Sequence, residues 1–478
     1  MTLQEAFGLE VSKGLIAKVL MATTGFIGVV VFARELGPEG YGSFAVIVAA
    51  ANIIDNPISG VAEACKKRIS EHDRGRGEIL GAGFLLSGFL LAVTVPLIFL
   101  IGPLINTVAI ESGYLYLAVL FTALVAFKTV HPLVSGIGEF GTEIVIDGVR
   151  SVVTLVLQVT FIFLLSWSVA GLVYGLAVAT LLTVPVSLRV INARPRLPSS
   201  DLLADIWSYA RFSIPTQFLG AAYNRVDILL IATVLASGAA GQYRVAMQLT
   251  LPGLFLSSVI GAGMFAEVSS IRSKGESATQ RVTEGIAFSS LFSIPIFFGA
   301  LAMPESIVTT VFGREYSSAA PILIGLGFFQ LFNTQVGALS SVIGGIDRPD
   351  LNLKIKTVTL IVNLTLGIAL LYQIGILGVV VGTVVASAIS YGSYTYVVWQ
   401  NVEYEPLPGP LRAELLAGLV MFLIVELVHR VVGVASAYDL AALVGLGAVV
   451  YGIGLIALSD VFVVTARNVY ADARERYL

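Results

Sequence analysis

The chain has 478 residues, of which 56% are hydrophobic and only 12% are charged. An ordinary soluble domain is about 25% charged, so this composition excludes that class and indicates a protein that crosses a membrane many times. The formal net charge of −3 gives no basis for nucleic-acid binding. A single cysteine and three scattered histidines match no disulfide or metal pattern, so no metal and no cofactor are expected.

Long apolar runs recur along the chain, and each reaches the roughly 20 residues that a bilayer core requires. The runs are continuous and do not alternate with a period of two, which predicts an all-α integral membrane protein and not a barrel. Glycine, proline and charged breaks divide them into about 14 transmembrane helices. These are expected near residues 13–33, 42–64, 79–101, 113–135, 145–166, 169–190, 208–233, 243–265, 284–303, 318–341, 355–373, 376–398, 412–432 and 439–460.

The first break reads ARELGPEGYGSFAV, residues 33–46. Its glycines and Pro38 turn the chain at low cost, so a short outer turn is predicted between spans one and two. Basic residues concentrate in alternate loops, above all in the segment 66–77. Because lysine and arginine favour cytoplasmic loops, we expect a multi-pass protein of the cytoplasmic (plasma) membrane with both termini in the cytoplasm.

A similar break returns in the second half of the chain. A shift of 201 residues places Gly37 on Gly238 and Gly40 on Gly241, and a tyrosine follows within two positions in both copies. A second block, 138–180, matches 345–387 at a shift of 207. These ordered matches indicate two parallel repeats of six helices. The expected domains are an N-terminal six-helix lobe, a C-terminal six-helix lobe, and two additional helices with a cytoplasmic tail, at residues 1–195, 196–400 and 401–478.

Four stretches in order resemble the oligosaccharide flippase (polysaccharide transporter) family of the multidrug/oligosaccharidyl-lipid/polysaccharide (MOP) exporter superfamily. They are LGPEGYGSFAV, VDILLIATVLASGAAGQYRVAMQL, VFGREYSSAAPIL and VNLTLGIALLYQIGILGVVVGT. The resemblance implies a V-shaped pair of lobes around a central cavity, lined mainly by spans one, two, seven and eight, which opens alternately to either side. It also implies a saccharide cargo linked to a polyprenyl or dolichyl (pyro)phosphate and moved to the outer leaflet.

Charged side chains inside a span are costly and are therefore candidate site residues. In span seven, Gln217, Asn224 and Arg225 share one helical face. The planar fork of donors on Arg225 suits a phosphate. The alternative is a structural pair with Asp227, although residues two apart on a helix do not face each other.

Further cations are candidates for contact with the cargo. Lys128 in span four either supplies a second phosphate contact or snorkels toward the cytoplasm. Arg34 and Arg244 stand at the outer ends of spans one and eight. The cavity helices of the superfamily imply a gate role for these two arginines, and their positions at helix ends are equally typical of interfacial anchors.

Two buried acids are candidates for ion coupling. Asp55 lies in the middle of span two, just before Pro57. The resemblance to drug exporters implies that such an acid binds a coupling proton or sodium ion, and the alternative is a carboxylate at a helix kink satisfied by backbone donors or a basic neighbour. Asp227 is the second candidate. Near the inner end of span five, Glu143, Asp147 and Arg150 fall at helical spacing, and an intrahelical ion pair among them is expected.

The residues and the resemblance together predict a flippase for lipid-linked oligosaccharides in surface polysaccharide or glycoprotein biosynthesis, and not an enzyme. Its expected partners are the lipid-linked saccharide, membrane lipids and glycan-assembly enzymes, with no nucleic acid. A cation-coupled multidrug exporter of the same superfamily is the first alternative, and it predicts an apolar or acidic cavity dominated by Asp55. An integral-membrane glycosyltransferase or polymerase is the second, but it would need a large catalytic loop, whereas every predicted loop is short.

Overall fold

A computed structural model of the chain describes residues 3–71, 75–274, 278–402 and 404–477. Within these ranges the chain is helical throughout and contains no strand. It divides into two compact units, Met1–Arg244 and Val245–Leu478. The long helix that holds predicted span seven belongs to the first unit because it packs against helices near the N-terminus. The lobe boundaries expected from the repeat stay predictions.

The first unit is built from nine helices and the start of a tenth. They are α1 (Leu3–Ile54), α2 (Asn56–Ser70), α3 (Arg76–Leu100), α4 (Gly102–Val108), α5 (Gly113–Val130), α6 (Pro132–Gly136), α7 (Phe140–Val159), α8 (Ser168–Ile191), α9 (Ser200–Val234) and α10 (Ser237–Thr250). The core of this unit lies where α2, α3, α5 and α8 meet.

The second unit contains the remaining described helices. They are α11 (Leu254–Ser273), α12 (Thr279–Ser289), α13 (Ser293–Ala302), α14 (Pro304–Phe312), α15 (Ala319–Gly345), α16 (Pro349–Ile374), α17 (Ile376–Val402), α18 (Gly409–Val432), α19 (Ala437–Leu458) and α20 (Asp460–Tyr477). Side-chain bonds join α15 to its neighbours: Gln335 donates to Ser290 Oγ at 2.8 Å, and Ser257 of α11 donates to the Thr334 carbonyl at 2.7 Å. Polar residues here bond helices together.

Twelve helical runs in the described chain are long and apolar enough to cross a membrane, whereas the sequence predicts about fourteen. The difference arises in two places. Predicted spans one and two lie in the single run Ile16–Ile54, which the non-helical backbone at Gly37 divides into two helical arms. Predicted span seven lies in α9, which is not among the twelve because polar residues such as Gln217 and Arg225 lower its hydropathy. The count of fourteen is therefore not confirmed.

The break in α1 falls at Gly37, inside the predicted outer turn. Gly37 has φ 65° and ψ −179°, a left-handed φ that favours glycine. Pro38 follows and has no backbone N–H with which to continue the helical hydrogen bonds. These two residues together interrupt the helix.

The two arms on either side of this break return to the same end of the first unit. Before the break, Gly14 lies against Ile144 near the start of α7. After it, Ile69 near the end of α2 lies against Gly136 at the end of α6. Since α7 begins only four residues after Gly136, the chain has reversed its direction between the two contacts.

The two glycine-rich breaks related by the sequence repeat are in direct contact within the first unit. A Cβ atom on Gly42 would overlap the carbonyl oxygen of Ser237, and one on Gly241 would overlap that of Pro38. Backbone approaches this close leave no room for any side chain. The repeat therefore places glycine where the two turns pack against each other.

This contact predicts that an alanine substitution affects stability very differently at two glycines of α1. Gly42→Ala should lower the free energy of unfolding by about 1–3 kcal/mol, because the added methyl group forces the two turns apart. Gly25→Ala, where a Cβ meets nothing within 4 Å, should not destabilise the protein and gains helix propensity. Thermal unfolding of both variants in one detergent would measure the difference, and equal stability would contradict the packing described.

Candidate functional site

The most deeply buried ion pair of the first unit joins α5 to the junction between α1 and α2. Pro57 cannot continue the hydrogen bonds of α1, so α1 ends at Ile54 and Asp55 stands between the two helices. Lys128 Nζ donates to Asp55 Oδ1 at 2.6 Å and to Ser59 Oγ at 3.0 Å. The Asp55 side chain is 0% exposed and that of Lys128 is 24% exposed. Lys128 therefore binds Asp55 and does not snorkel away from it.

The second carboxylate oxygen of Asp55 is in a different situation. Asp55 Oδ2 is buried, and it has no hydrogen-bond partner among the described residues. A buried carboxylate oxygen without a donor is unfavourable in an apolar interior. The acid is therefore only half satisfied by its lysine.

Two arginines extend this pair into a cluster of charges. Arg225 of α9 is half-buried and interacts electrostatically with Arg244 and with Asp55. Two arginines close enough to repel each other inside a membrane protein raise the energy of the site, and an anion between them would lower it. Lys128 and Arg225 both interact with Asp55, and Arg225 interacts with Arg244, so these four residues form a cluster in which cations outnumber the acid three to one.

Two buried tyrosines lie beside charged residues at this site. Arg244 interacts electrostatically with the Tyr41 hydroxyl. Tyr243 donates to Asp227 Oδ2 at 3.0 Å. Both tyrosines are less than 5% exposed. They are the tyrosines that follow the glycine breaks of the two repeats, so each repeat contributes one buried hydroxyl that positions a charge.

Sequence reasoning missed these positioning residues, and Ser59 with them. The signal for the tyrosines was present in the repeat, where a tyrosine follows the glycines in both copies. Nothing local marks Ser59, which matters only because α2 carries it to the end of the Lys128 side chain.

The structure gathers only some of the predicted site residues. Asp55, Lys128, Arg225 and Arg244 belong to the cluster, and Asp227 accepts a hydrogen bond from Tyr243, which precedes Arg244 in the chain. Arg34 and Gln217 have exposed side chains, and the side chain of Asn224 lies outside the described residues. The roles predicted for all of these residues stay predictions.

The expected intrahelical pair in α7 is confirmed. Arg150 donates to Asp147 Oδ1 at 2.9 Å, one turn along the same helix. His131 Nε2 lies 3.3 Å from the other oxygen of Asp147. This second group of charges joins α7 to the residue between α5 and α6.

An all-helical chain with twelve runs long and apolar enough to cross a membrane in its described residues defines a polytopic membrane protein. The chain belongs to the polysaccharide biosynthesis protein family, whose sequence pattern matches residues 31–321.

Two relatives from Haloferax volcanii support this assignment. The chain is 26% identical to the probable low-salt glycan biosynthesis flippase Agl15 over 79% of its own length and 80% of that protein. It is 19% identical to the probable flippase AglR over 93% of its own length and 94% of that protein. Together with the family, these relatives support a membrane flippase.

Solved structures establish the fold. The lipid II flippase MurJ in an inward closed conformation matches with a TM-score of 0.79, at 13% identity, over 92% of this chain and 97% of MurJ. An inward-facing MATE multidrug transporter of the MOP superfamily matches with a TM-score of 0.61, at 15% identity, over 81% of this chain and 98% of that protein. The chain therefore has the fold that these two solved structures share.

The buried ion pair predicts how lysine loss affects stability. Lys128→Met leaves Asp55 buried without its counterion and should cost about 3–5 kcal/mol of unfolding free energy. The double variant Asp55→Asn with Lys128→Met should recover most of this loss, because the buried negative charge of Asp55 is then also removed. Thermal unfolding of the purified variants would measure both effects.

Lys354→Met serves as the matched control, since the side chain of Lys354 is 75% exposed. Its stability should change by no more than about 0.5 kcal/mol. If Lys128→Met unfolded like this control, Lys128 and Asp55 would not form the pair described.

Proposed function

We propose that the protein is a flippase that moves a lipid-linked oligosaccharide from the cytoplasmic to the outer leaflet of the cytoplasmic membrane by alternating access. The saccharide is attached to a polyprenyl or dolichyl phosphate or pyrophosphate, and the product serves surface polysaccharide or glycoprotein biosynthesis. The observation that carries the proposal is the group of three partly buried cations, Lys128, Arg225 and Arg244, around the single buried acid Asp55. The family and the names of the relatives support it.

The chemistry of a lipid-linked oligosaccharide explains why its carrier needs cations in its interior. A sugar with a phosphate cannot cross hydrocarbon alone, because every unsatisfied polar group and every bare charge costs several kcal/mol there. A protein that carries it must offer cations to the phosphate and hydrogen-bonding groups to the sugar. Arginine suits the phosphate because its guanidinium donates two parallel hydrogen bonds.

The charges favour this cargo over a cationic drug. An exporter of cations needs an acid that is free to attract them, but Asp55 already binds Lys128. The cluster as a whole is positive, which repels a cationic drug and attracts a phosphate. An exporter of cations is therefore the less favoured candidate, although a multidrug transporter shares the fold.

In the proposed arrangement, the six-helix lobes 1–195 and 196–400 open alternately to either side of the membrane. The segment 401–478 adds two helices and a cytoplasmic tail. Both termini face the cytoplasm, and glycan-assembly enzymes supply the cargo. The protein makes and breaks no covalent bond. Short connections support this last point: the longest one between described helices, 192–199, contains no acidic residue.

Reconstituted vesicles would test the cargo. With a fluorescent lipid-linked saccharide, the protein should remove the headgroup from reach of an added glycan-modifying enzyme. Arg225→Ala should slow this transfer about tenfold to a hundredfold, since a charged hydrogen bond contributes roughly 1.5–3 kcal/mol. Arg348→Ala, at an arginine with a 48% exposed side chain that pairs only with nearby Asp350, should transfer like the wild type.

Two results would overturn this reading. Transfer that is unchanged in a folded Arg225→Ala variant would remove Arg225 from the site. The absence of transfer with every candidate lipid, together with proton- or sodium-driven efflux of a cationic dye, would replace the flippase by the drug exporter.

Cysteine labelling would test the topology. Cys65, the natural cysteine, is 1% exposed and should not react. A cysteine introduced by Glu111→Cys, between α4 and α5, should react with an impermeant maleimide added outside intact cells. One introduced by Ser200→Cys, at the start of α9, should react only after permeabilisation, and the reverse pattern would invert the proposed orientation.

A further inference from the structure

A second group of cations lines a cavity of about 430 Å³ at the end of α8. The lining residues come from the last turns of that helix and from the segment that follows it: Pro185, Leu188, Arg189, Asn192, Ala193 and Arg194. None of them belongs to the cluster around Asp55. Both arginines are exposed, and no described residue forms an ion pair with either of them. Two cations without a counterion at one cavity attract an anion.

The backbone around the cavity fixes the position of these arginines. Asn192 adopts φ 52° and ψ 46°, a left-handed conformation that ends α8 and turns the chain. Beyond this turn, the Arg196 N–H donates to the Gly77 carbonyl at 2.8 Å. A Cβ atom on Gly81 of α3 would overlap the carbonyl oxygen of Arg196. The segment after α8 therefore packs directly on the first turns of α3, and the backbone of Arg194 is held beside the helix end.

The end of α8 is also less hostile to an anion than a bare helix C-terminus. Unpaired carbonyl groups at such an end carry partial negative charge. Here Arg76 of α3 donates to the Ile191 carbonyl at 3.3 Å, and the Asn192 N–H donates to the Leu188 carbonyl at 3.0 Å. The two guanidinium groups at the cavity add full positive charges. The electrostatic balance at the helix end therefore favours an anion.

An apolar stripe on α8 leads to this cavity. Val178, Leu182 and Val186 are 38%, 54% and 49% exposed. They are spaced four residues apart, and Arg189 follows three residues later, so all four side chains share one helical face. Exposed apolar side chains on a membrane-crossing helix contact lipid chains. A molecule with an anionic head and an apolar chain would match the cavity and the stripe together.

We propose that the end of α8 binds an anionic phospholipid of the surrounding bilayer. Its phosphate lies between Arg189 and Arg194, and an acyl chain runs along the stripe of Val178, Leu182 and Val186. Arginine suits this contact because its guanidinium donates two parallel hydrogen bonds to phosphate oxygens. In the proposed orientation the site faces the cytoplasmic leaflet, where basic pockets bind anionic headgroups.

The size of the cavity favours a bilayer lipid over the proposed cargo. Its volume of about 430 Å³ stands near the lower end of the range for small-molecule sites. That is room for a phosphate with a small headgroup, and several sugars would extend beyond it. The inference therefore does not require the protein to be a flippase.

Native mass spectrometry of the purified full chain would test the site. The protein should bind dioleoylphosphatidylglycerol about tenfold more tightly than dioleoylphosphatidylcholine, which has the same chains and no net charge. The double variant Arg189→Gln with Arg194→Gln should weaken binding of the anionic lipid about tenfold to thirtyfold, since each arginine near a lipid surface contributes a factor of about five. Arg348→Gln with Lys354→Gln is the matched control, because these exposed bases already pair with Asp350, and it should bind like the wild type.

A second set of variants tests the acyl chain separately from the charge. Leu182→Ser should weaken binding of dioleoylphosphatidylglycerol about threefold to tenfold through lost apolar contact. Leu419→Ser, at a residue of α18 that is 45% exposed, should have no effect. A phosphatidylglycerol with a photoactivatable group in one chain should crosslink to α8 between residues 178 and 189.

Four results would each overturn the inference. They are equal binding of the two lipids, unchanged binding in the double arginine variant, crosslinks confined to other helices, and displacement of the lipid by glycerol 3-phosphate at equal concentration, which would indicate a site for a soluble phosphate. Displacement by a polyprenyl phosphate at a lower concentration than phosphatidylglycerol would assign the site to the cargo and overturn it too. None of these measurements involves saccharide transfer, so their outcome is independent of the proposed function.

Discussion

The structure of the first unit depends on the cost of burying charge. Asp55 is fully enclosed and would be prohibitively unfavourable without Lys128, so α5 and the α1–α2 junction must meet at that level. Such a pair contributes little net stability by itself, because removing two ions from water is expensive. What it supplies is a fixed register between helices and an acid whose charge depends on the two cations that face it, Lys128 and Arg225. Both consequences shape the site proposed around it.

The backbone makes this meeting possible. The break at Gly37 reverses the chain, so α2 runs back beside α5 and α6. Glycines on both repeat-related turns allow carbonyl groups to approach where any side chain would clash. The turns then hold Tyr41 near Arg244, and Tyr243 near Asp227. The glycines thus permit the close backbone approach that positions these four polar side chains.

Sequence patterns predicted the features that depend on residues close together in the chain. Apolar runs indicated membrane helices, Gly37 and Pro38 indicated a turn, and the spacing of Asp147 and Arg150 indicated an ion pair. The pairing of Asp55 with Lys128 joins residues 73 positions apart, so no periodicity could reveal it. The helix count differed because the run Ile16–Ile54 holds two predicted spans divided at Gly37, and because the polar residues that made α9 a candidate site also lower its hydropathy.

The fold alone does not select the cargo, because a lipid II flippase and a multidrug transporter both share it. The charges of a site decide which cargo it favours. An acid that stands free attracts a cation, whereas an acid already bound by lysine, beside two arginines that repel each other, leaves a site whose energy falls when an anion arrives. The neighbourhood of Asp55 in this chain is of the second kind, because Lys128 and Arg225 both face the acid.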